Sequence, residues 1–389
     1  MAHRRAQTRE VHAGSADRPF GAINQPIFTS CTYEYETAHS IGGRYRYGRM
    51  ASPTRDELEA MMTDLEGGTS AYAFASGMAA IDAVFSLLEP GDHVVAADNL
   101  YAETYDLLTG IYPMYGIDVS FVDIRRNEVI ADAMCRETAL VYFESPTNPL
   151  LHIGDIEAAA AIAHDGDAFL AIDNTFASPA LQRPLELGAD IVVESLTKYI
   201  GGHSDAILGS VVVDDPSLEE QLSTIQYTRG AIPGSLECFL AVRGGRTLSR
   251  RVEVQCANAR AIAEWMEAHE MVDHVYYPGQ PNHPNHDIAT KQMDDYGAMV
   301  SLDLTGGEPA ATAFVEALEI FTLAESLGAV ESLVEVPALM THQDIPPEKR
   351  AASGISDGLV RLSIGIEHVD DLIDDIRQGL QAVELGEHD

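Results

Sequence analysis

Short apolar runs that alternate with helical stretches are the feature that most constrains the fold of this 389-residue chain. Apolar positions recur with helical spacing in residues 77–88 and 156–164. Short buried strands separated by helices require crossover connections, which favour a mostly parallel sheet flanked by helices. The pattern therefore predicts an α/β fold. The apolar runs are residues 93–96, 119–122, 139–143, 169–172, 191–193 and 208–213.

The chain is longer than one hydrophobic core usually organises, so we predict two domains. Residues 1–50 are polar and rich in turn residues, and we expect an arm that either stays loose or packs on another subunit. Residues 51–245 carry the strand and helix alternation and form the predicted large domain. Residues 246–389 form the predicted small domain, with a long helical pattern at 251–268 and a strand pattern at 298–304.

The last helical pattern, residues 369–383, places its apolar residues on one stripe. We expect the aspartates opposite that stripe to form a solvated face and not a metal site. A pair of histidines, His283 and His286, lacks further ligand candidates nearby, so the sequence predicts no metal centre. The four aspartates are Asp370, Asp371, Asp374 and Asp375.

The net charge of the chain argues against some classes of binding partner, and its cysteine content indicates the redox state of its cellular compartment. The sequence has 24 Lys+Arg against 61 Asp+Glu, a net charge of −37, which argues against attraction to nucleic acid or to an anionic membrane. Such an acidic, lysine-poor chain predicts a halophilic protein. Four cysteines without CxxC spacing predict a reducing cytoplasm, and no segment reaches the roughly 18 apolar residues of a membrane span.

Lys198 carries the most chemical information. The chain has only three lysines, and this one lies in the segment SLTKYIGGHSD at residues 195–205, with hydroxyls before it and two glycines after it. A lysine amine can lose its proton and condense with an aldehyde, which an arginine cannot do. Asp173 follows the apolar run 168–172, where a carboxylate can end a buried strand. An amine that forms a Schiff base and a carboxylate for a pyridinium nitrogen are what pyridoxal phosphate (PLP) chemistry requires.

Besides the Lys198 segment, the chain contains, in this order, the motifs YGR (47–49), SPT (52–54), SGM (76–78), ESPTNP (144–149), AESLG (324–328), MTH (340–342) and RLSIG (361–365). This ordered set resembles the family of Cys/Met-metabolism PLP enzymes, which includes cystathionine γ-synthases, cystathionine γ-lyases, methionine γ-lyases and O-acylhomoserine sulfhydrylases. The resemblance runs from about Val11 to Ile376. It implies PLP fold type I, similar to aspartate aminotransferase, with a mostly parallel seven-stranded sheet and a smaller α+β C-terminal domain.

The resemblance also implies roles for single residues. Lys198 resembles the lysine that binds PLP and moves the Cα proton, Asp173 the partner of the pyridine nitrogen, and Tyr101 the tyrosine that stacks on the ring and protonates the leaving group. The remaining residues fall into three groups. For the phosphate, the resemblance implies Gly77, Met78, Ser195 and Thr197, with Tyr47 and Arg49 from a neighbouring subunit. For the phenolic oxygen of PLP, it implies Asn148. For the substrate, it implies Arg361, Ser326 and Glu325.

Departures from the family pattern leave the reaction open. Methionine γ-lyases usually have a cysteine where this chain has Glu103, and Arg46 and Asp106 reverse the charges common in γ-lyases. Glu325 resembles the glutamate of cystathionine synthases and γ-lyases, so we expect γ-replacement or γ-elimination on homoserine-derived or sulfur amino acids. The alternatives are an O-acetylhomoserine sulfhydrylase, a methionine γ-lyase, and a PLP-binding protein without turnover. The resemblance implies a homotetramer of two active dimers.

Overall fold

The computed structural model describes residues 5–14, 19–39, 43–343, 345 and 347–386, and a seven-stranded sheet forms its centre. The strand order is β1-β7-β6-β5-β4-β2-β3. All neighbouring pairs are parallel except those of β7, which is antiparallel to β1 and to β6. The strands are β1 (Ser70–Phe74), β2 (His93–Ala97), β3 (Asp118–Val122), β4 (Thr138–Glu144), β5 (Phe169–Asp173), β6 (Ile191–Glu194) and β7 (Gly209–Val213).

The predicted mostly parallel sheet is confirmed, and each of the six predicted apolar runs is a strand in it. The sequence did not reveal β1, whose two alanines and single serine give little strand signal over five residues. This strand lies at the sheet edge, and among the described strands only β7 is hydrogen-bonded to it. Tertiary pairing with a distant strand therefore fixes it.

Thirteen α-helices lie among the described residues. The helix predicted at 77–88 ends at Phe85, because Leu87 and Leu88 make tighter bonds to carbonyls three residues back and Pro90 follows. The helices are α1 (Ala6–His12), α2 (Pro53–Glu66), α3 (Gly77–Phe85), α4 (Ala102–Asp106), α5 (Asn127–Ala133), α6 (Ile156–Asp165), α7 (Pro216–Arg229), α8 (Ser235–Gly245), α9 (Leu248–Glu267), α10 (His286–Gln292), α11 (Gly307–Glu316), α12 (Pro347–Ala352) and α13 (Val369–Gly386).

A second, smaller sheet follows in the C-terminal part of the chain, as the predicted fold class requires. Its order is β10-β11-β12-β9-β8, and its pairs are antiparallel except β10 with β11. The boundary near residue 245 stays a prediction, although α8 ends at that residue. The strands are β8 (Val272–Tyr276), β9 (Met299–Leu304), β10 (Thr322–Leu323), β11 (Leu333–Glu335) and β12 (Leu359–Ser363).

Helix α13 corrects one prediction. Asp370, Asp371 and Asp374 are exposed as expected, but Asp375 is only 5% exposed. Its carboxylate accepts hydrogen bonds from the backbone N–H groups of Glu319, Ile320 and Phe321 at 2.8, 2.9 and 3.0 Å. Asp375 lies three residues after the buried Leu372, so it borders the apolar stripe and reaches the turn before β10.

No helix in the described part of the chain is both long and apolar enough to cross a membrane. His283, one of the two histidines considered as metal ligands, is buried and its Nε2 lies 3.1 Å from the carbonyl oxygen of Leu151. The Nε2 atom of His283 therefore contacts the backbone of the segment that follows β4.

Candidate active site

A cavity of about 370 Å³ lies where the carboxyl ends of β4, β5 and β6 meet the start of α3. Ligands of parallel α/β sheets commonly bind at this edge. Strand ends, helix starts and the small sheet all contribute to its wall. Of the thirteen site residues expected from the sequence, all line this cavity except Tyr47 and Arg49.

Lys198 lies in the turn after β6 with its amine inside the cavity. Its Nζ donates a hydrogen bond to the Ser326 hydroxyl at 3.0 Å. Burial, and then the positive charge of Arg361, lower the pKa of the Lys198 amine to about 8. Since an ordinary lysine has a pKa near 10.4, a larger fraction of this amine is neutral and nucleophilic near neutral pH.

Asp173 is the last residue of β5 and is 9% exposed. Its Oδ1 accepts the backbone N–H of Thr175 at 3.0 Å, and its Oδ2 lies 3.5 Å from the Tyr142 hydroxyl. Burial raises the pKa of this carboxyl group. A cationic ring nitrogen in the cavity would stabilise the ionised form, which is what a pyridinium requires.

Glu144 is a site residue that the sequence analysis placed in a motif but gave no role. It ends β4 beside Asp173, lines the cavity and accepts the backbone N–H groups of Tyr101 at 2.6 Å and Asn148 at 3.2 Å. Burial, and then the charge of Asp173, raise the pKa of Glu144 to about 8. Its position before the Ser145 of the motif was the signal that could have identified it.

The start of α3 offers donors for a phosphate group. Ser76 caps this helix by accepting the N–H of Ala79 at 3.0 Å, and the first two helical residues, Gly77 and Met78, line the cavity. A Cβ atom on Gly77 would lie 2.9 Å from both Cβ and Oγ of Ser195, so only glycine allows this close approach. Helix N-termini favour anions because their first N–H groups have no partner within the helix.

The two hydroxyl groups expected in the same phosphate site differ. The Ser195 side chain makes no hydrogen bond with any described residue, so it is available to a ligand. The Thr197 hydroxyl donates to the carbonyl of Leu208 at 3.1 Å and accepts from the N–H of Leu208 at 3.0 Å. Donation from Thr197 to a phosphate would therefore require its bond to the Leu208 carbonyl to break.

Tyr47 and Arg49 lie outside the cavity of their own chain. Tyr47 is 48% exposed, and Arg49 donates a hydrogen bond to the carbonyl oxygen of Tyr227. Residues that serve a neighbouring subunit would be placed in this way, and that role stays a prediction.

Arg361 lies on β12 and is 3% exposed. Its Nη1 donates to Asn148 Oδ1 at 2.7 Å, and its Nη2 donates to the carbonyl oxygen of Ser326 at 3.0 Å. The same Nη2 lies 3.0 Å from Oε2 of the buried Glu335, a residue the sequence analysis missed. The Arg361 Nε has no partner among the described residues, so the guanidinium retains a donor for a carboxylate in the cavity.

Ser326 joins the amine and the guanidinium. Its hydroxyl accepts from Lys198 and its carbonyl accepts from Arg361, while its backbone has φ +111°, outside the usual range for a residue with a side chain. Glu325 precedes it, is exposed and also lines the cavity. The cavity thus contains a guanidinium, that of Arg361, which can bind a ligand carboxylate, and an exposed carboxylate, that of Glu325.

A family model described as Cys/Met metabolism PLP-dependent enzyme matches residues 7–381. A cystathionine beta-lyase of Lactococcus lactis subsp. cremoris (strain MG1363) is 46% identical over 96% of this chain and 98% of its own. A cystathionine gamma-lyase of Bacillus subtilis (strain 168) is 46% identical over 97% and 99%, and a cystathionine gamma-synthase of Mycobacterium bovis 43% over 96% and 96%. Three reaction names thus occur at nearly equal identity.

Solved structures give the same result for the fold. The cystathionine gamma-lyase of Lactobacillus plantarum complexed with L-serine has a TM-score of 0.95 and 42% identity, covering 98% of this chain and 100% of that one. The cystathionine gamma synthase of Xanthomonas oryzae pv. oryzae in complex with aminoacrylate and cysteine has a TM-score of 0.95 and 43% identity, covering 98% and 99%.

Proposed function

The chain belongs to the family of Cys/Met metabolism PLP-dependent enzymes, and we propose that it forms or cleaves cystathionine by chemistry at the γ-carbon of a homoserine-derived or sulfur amino acid. It is an enzyme of the trans-sulfuration type, with small amino acids as substrates. The family depends on PLP, and the donor set of the cavity fits that cofactor. The fit rests on the unpartnered Ser195 hydroxyl, the glycine-dependent approach at Gly77 and the buried Asp173.

Three groups of this chain would hold PLP. The N–H groups of Gly77 and Met78, with Ser195, would bind the phosphate; Asp173 would pair with the ring nitrogen; and Lys198 would bind the aldehyde carbon covalently. The Asn148 amide nitrogen remains available for the phenolic oxygen, because only its Oδ1 is used by Arg361. When bound, PLP supplies a sink for the electrons released at the substrate Cα.

The remaining residues would bind the substrate and move protons. Arg361 would bind the α-carboxylate through its free Nε–H, which places Cα near the Lys198 amine on the other side of Ser326. Lys198, with its lowered pKa, would accept the Cα proton and return it later in the reaction. Burial and then the carboxylate of Glu103 raise the pKa of Tyr101, so this hydroxyl keeps its proton and would donate it to the leaving group.

One observation carries this proposal: the Lys198 amine, the buried Asp173 carboxylate and the buried Arg361 guanidinium line one cavity, and Ser326 is hydrogen-bonded to both the amine and the guanidinium. Glu325 at the same cavity supports a substrate with a second, cationic end, such as cystathionine. A non-catalytic PLP-binding protein would not need an amine with a lowered pKa beside a substrate-binding arginine.

The products of cystathionine cleavage test the proposal. Cleavage at the γ-carbon yields cysteine, α-ketobutyrate and ammonia, whereas cleavage at the β-carbon yields homocysteine, pyruvate and ammonia. We expect α-ketobutyrate from cystathionine, and cystathionine from O-acylhomoserine with cysteine. Pyruvate alone would indicate a β-lyase, and turnover only with sulfide would indicate a sulfhydrylase. Methionine is tested as a further substrate beside cystathionine, O-acylhomoserine with cysteine, and O-acylhomoserine with sulfide. The Lys198→Ala variant is the control, and it should give no keto acid from any of them.

The finer assembly is also part of the proposal: a tetramer of two active dimers in which Tyr47 and Arg49 complete the neighbouring phosphate site. Their position outside their own cavity supports it. Lys198→Ala subunits mixed with Arg49→Ala subunits would place both defects in one site and leave the other intact, so activity should return. No recovery after subunit exchange would contradict the shared site.

We also propose a cytoplasmic, salt-adapted enzyme. The net charge of −37 and the free cysteines Cys31, Cys135, Cys238 and Cys256 support this. Mutual repulsion between carboxylates is screened by salt, so the unfolding temperature should rise steadily as KCl is added. A flat response would contradict the salt adaptation.

A further inference from the structure

The partner of the substrate arginine is set by strand register. Glu335 on β11 and Arg361 on β12 are directly opposed residues of an antiparallel pair. Their side chains are 1% and 3% exposed and meet at 3.0 Å. Glu335 Oε2 accepts no well-aligned hydrogen bond from the described residues, so charge more than hydrogen-bond geometry holds this contact. The direction of the guanidinium therefore depends on where the Glu335 carboxylate is fixed.

A threonine fixes that carboxylate. The Thr341 hydroxyl, in the MTH motif that received no role above, donates to Glu335 Oε1 at 3.0 Å. It also lies 2.9 Å from Nδ1 of His342, a residue that is 1% exposed. Burial lowers the pKa of His342 to about 4, so the ring is neutral near neutral pH and carries one N–H.

The number of protons on each group determines the direction of the hydrogen bonds that link His342, Thr341 and Glu335. The single hydroxyl proton of Thr341 is used toward the carboxylate, which can only accept when ionised. The contact between Thr341 and His342 therefore requires Nδ1 of His342 to be the donor. The other ring nitrogen, Nε2, then has no proton, and it has no partner among the described residues. Donation thus runs from His342 to Thr341 to Glu335.

We propose that Thr341 and His342 are positioning residues of the substrate-carboxylate site, which act by fixing Glu335 and through it Arg361. This inference rests on the proposed role of Arg361. While Thr341 satisfies Oε1, the Glu335 carboxylate takes only Nη2, and Nε stays free for the substrate. Without the hydroxyl, the buried Oε1 lacks a donor, and the Arg361 guanidinium that already contacts Oε2 carries further N–H groups that can replace it.

The consequence is competition between Glu335 and the substrate for one guanidinium. A substrate without a carboxylate would not experience this competition. The effect of removing the Thr341 hydroxyl should therefore depend on the ligand's carboxylate, which a general loss of packing at Thr341 would not reproduce.

The experiment compares L-alanine with L-alaninamide as ligands of the PLP-loaded enzyme, followed by the change in its visible absorbance. Thr341→Val removes the hydroxyl at nearly constant shape, and Thr341→Ser retains it. Thr69→Val is the matched control, because the Thr69 hydroxyl donates to the exposed carboxylate of Glu219 at 2.5 Å, away from the cavity.

Thr341→Val should weaken L-alanine binding about tenfold, as expected for one hydrogen bond to a charged group, and leave L-alaninamide within about twofold. Thr341→Ser and Thr69→Val should stay within about twofold for both ligands. In turnover, Thr341→Val should raise KM more than it lowers kcat. Equal weakening of both ligands, or unchanged L-alanine binding, would overturn the positioning role. If the unaltered enzyme itself does not prefer L-alanine, the proposed role of Arg361 fails first.

Discussion

Glu144 and Asp173 are directly paired residues at the carboxyl ends of β4 and β5, and both are buried. Two neighbouring carboxyl groups in a site of low polarity do not ionise independently. The Glu144 carboxylate accepts from the backbone of Tyr101 and Asn148, whereas the Asp173 carboxylate lines the cavity and, among the described residues, accepts from one backbone N–H, that of Thr175. Glu144 is therefore the structural carboxyl group of this pair, and Asp173 is the one available to a ligand.

Glu144 should make the stability of the cofactor-free protein depend on pH. Its pKa is raised to about 8 in the folded state, so between about pH 4.5 and 8 the folded state binds more protons than the unfolded state. Glu144 therefore contributes stability below pH 4.5 that is lost as the pH rises through 8. The free energy of unfolding should decrease less between about pH 5 and 8 in Glu144→Gln than in the unaltered protein. The exposed Glu308→Gln is the control and should keep the original slope.

Lys198 should react as an unusually acidic lysine. Its pKa near 8 predicts that labelling by a small amine-reactive reagent in the cofactor-free protein rises with a midpoint near that pH. Lys291, whose pKa is raised by its contact with Glu157, should reach its midpoint at a much higher pH. Mass spectrometry of the two labelled peptides measures both curves. Coinciding curves would contradict the lowered pKa.

Tyr101→Phe should slow different leaving groups unequally. A thiolate leaving group, with a thiol pKa near 8.5, benefits from a proton donor, whereas acetate is the anion of a much stronger acid and leaves with less help. Loss of a general acid typically lowers the rate about 10²–10⁴-fold. The rate of α-ketobutyrate release from cystathionine should therefore decrease by a factor of that size, and the rate of release from O-acetylhomoserine should decrease much less. Tyr105→Phe, one turn along the chain and outside the cavity, is the control. Equal losses would contradict the acid role.

Asp375→Ala should destabilise the C-terminal part of the protein. The change leaves three backbone N–H groups without their acceptor, and a buried unsatisfied group costs about 1–3 kcal/mol, so we expect a loss of about 3 kcal/mol after partial rehydration. Asp374→Ala is the matched control, because it removes only an exposed pair with Arg377, which contributes about 0–1 kcal/mol. Denaturant unfolding measures both. Similar losses for the two variants would show that the buried carboxylate is not a cap.

Local pattern was enough to predict much of the large sheet. The runs that became β2 to β7 are apolar over three to six residues and are bounded by turns, and runs of this kind indicate buried strands in any α/β protein. The strand β1 was missed because its two alanines and its serine give little strand signal and its pairing partner lies far along the chain. Likewise, the sequence pattern of α13 put Asp375 on the solvated face opposite the apolar stripe, which was wrong, because the pattern could not reveal the backbone N–H groups of the distant turn that bury it.

The sequence by itself determined the fold class, the family resemblance and the identity of most cavity residues, because motifs around Lys198, Asp173 and Arg361 are short and local. Only the tertiary structure decided which of these groups touch. Arg361 meets Asn148 across 213 positions, Glu335 meets Arg361 through strand register, and Thr197 is already bonded to Leu208. Spacing along a chain fixes the face on which a side chain lies, but hydrogen-bond partners and burial, and hence pKa, depend on which distant segments pack against that face.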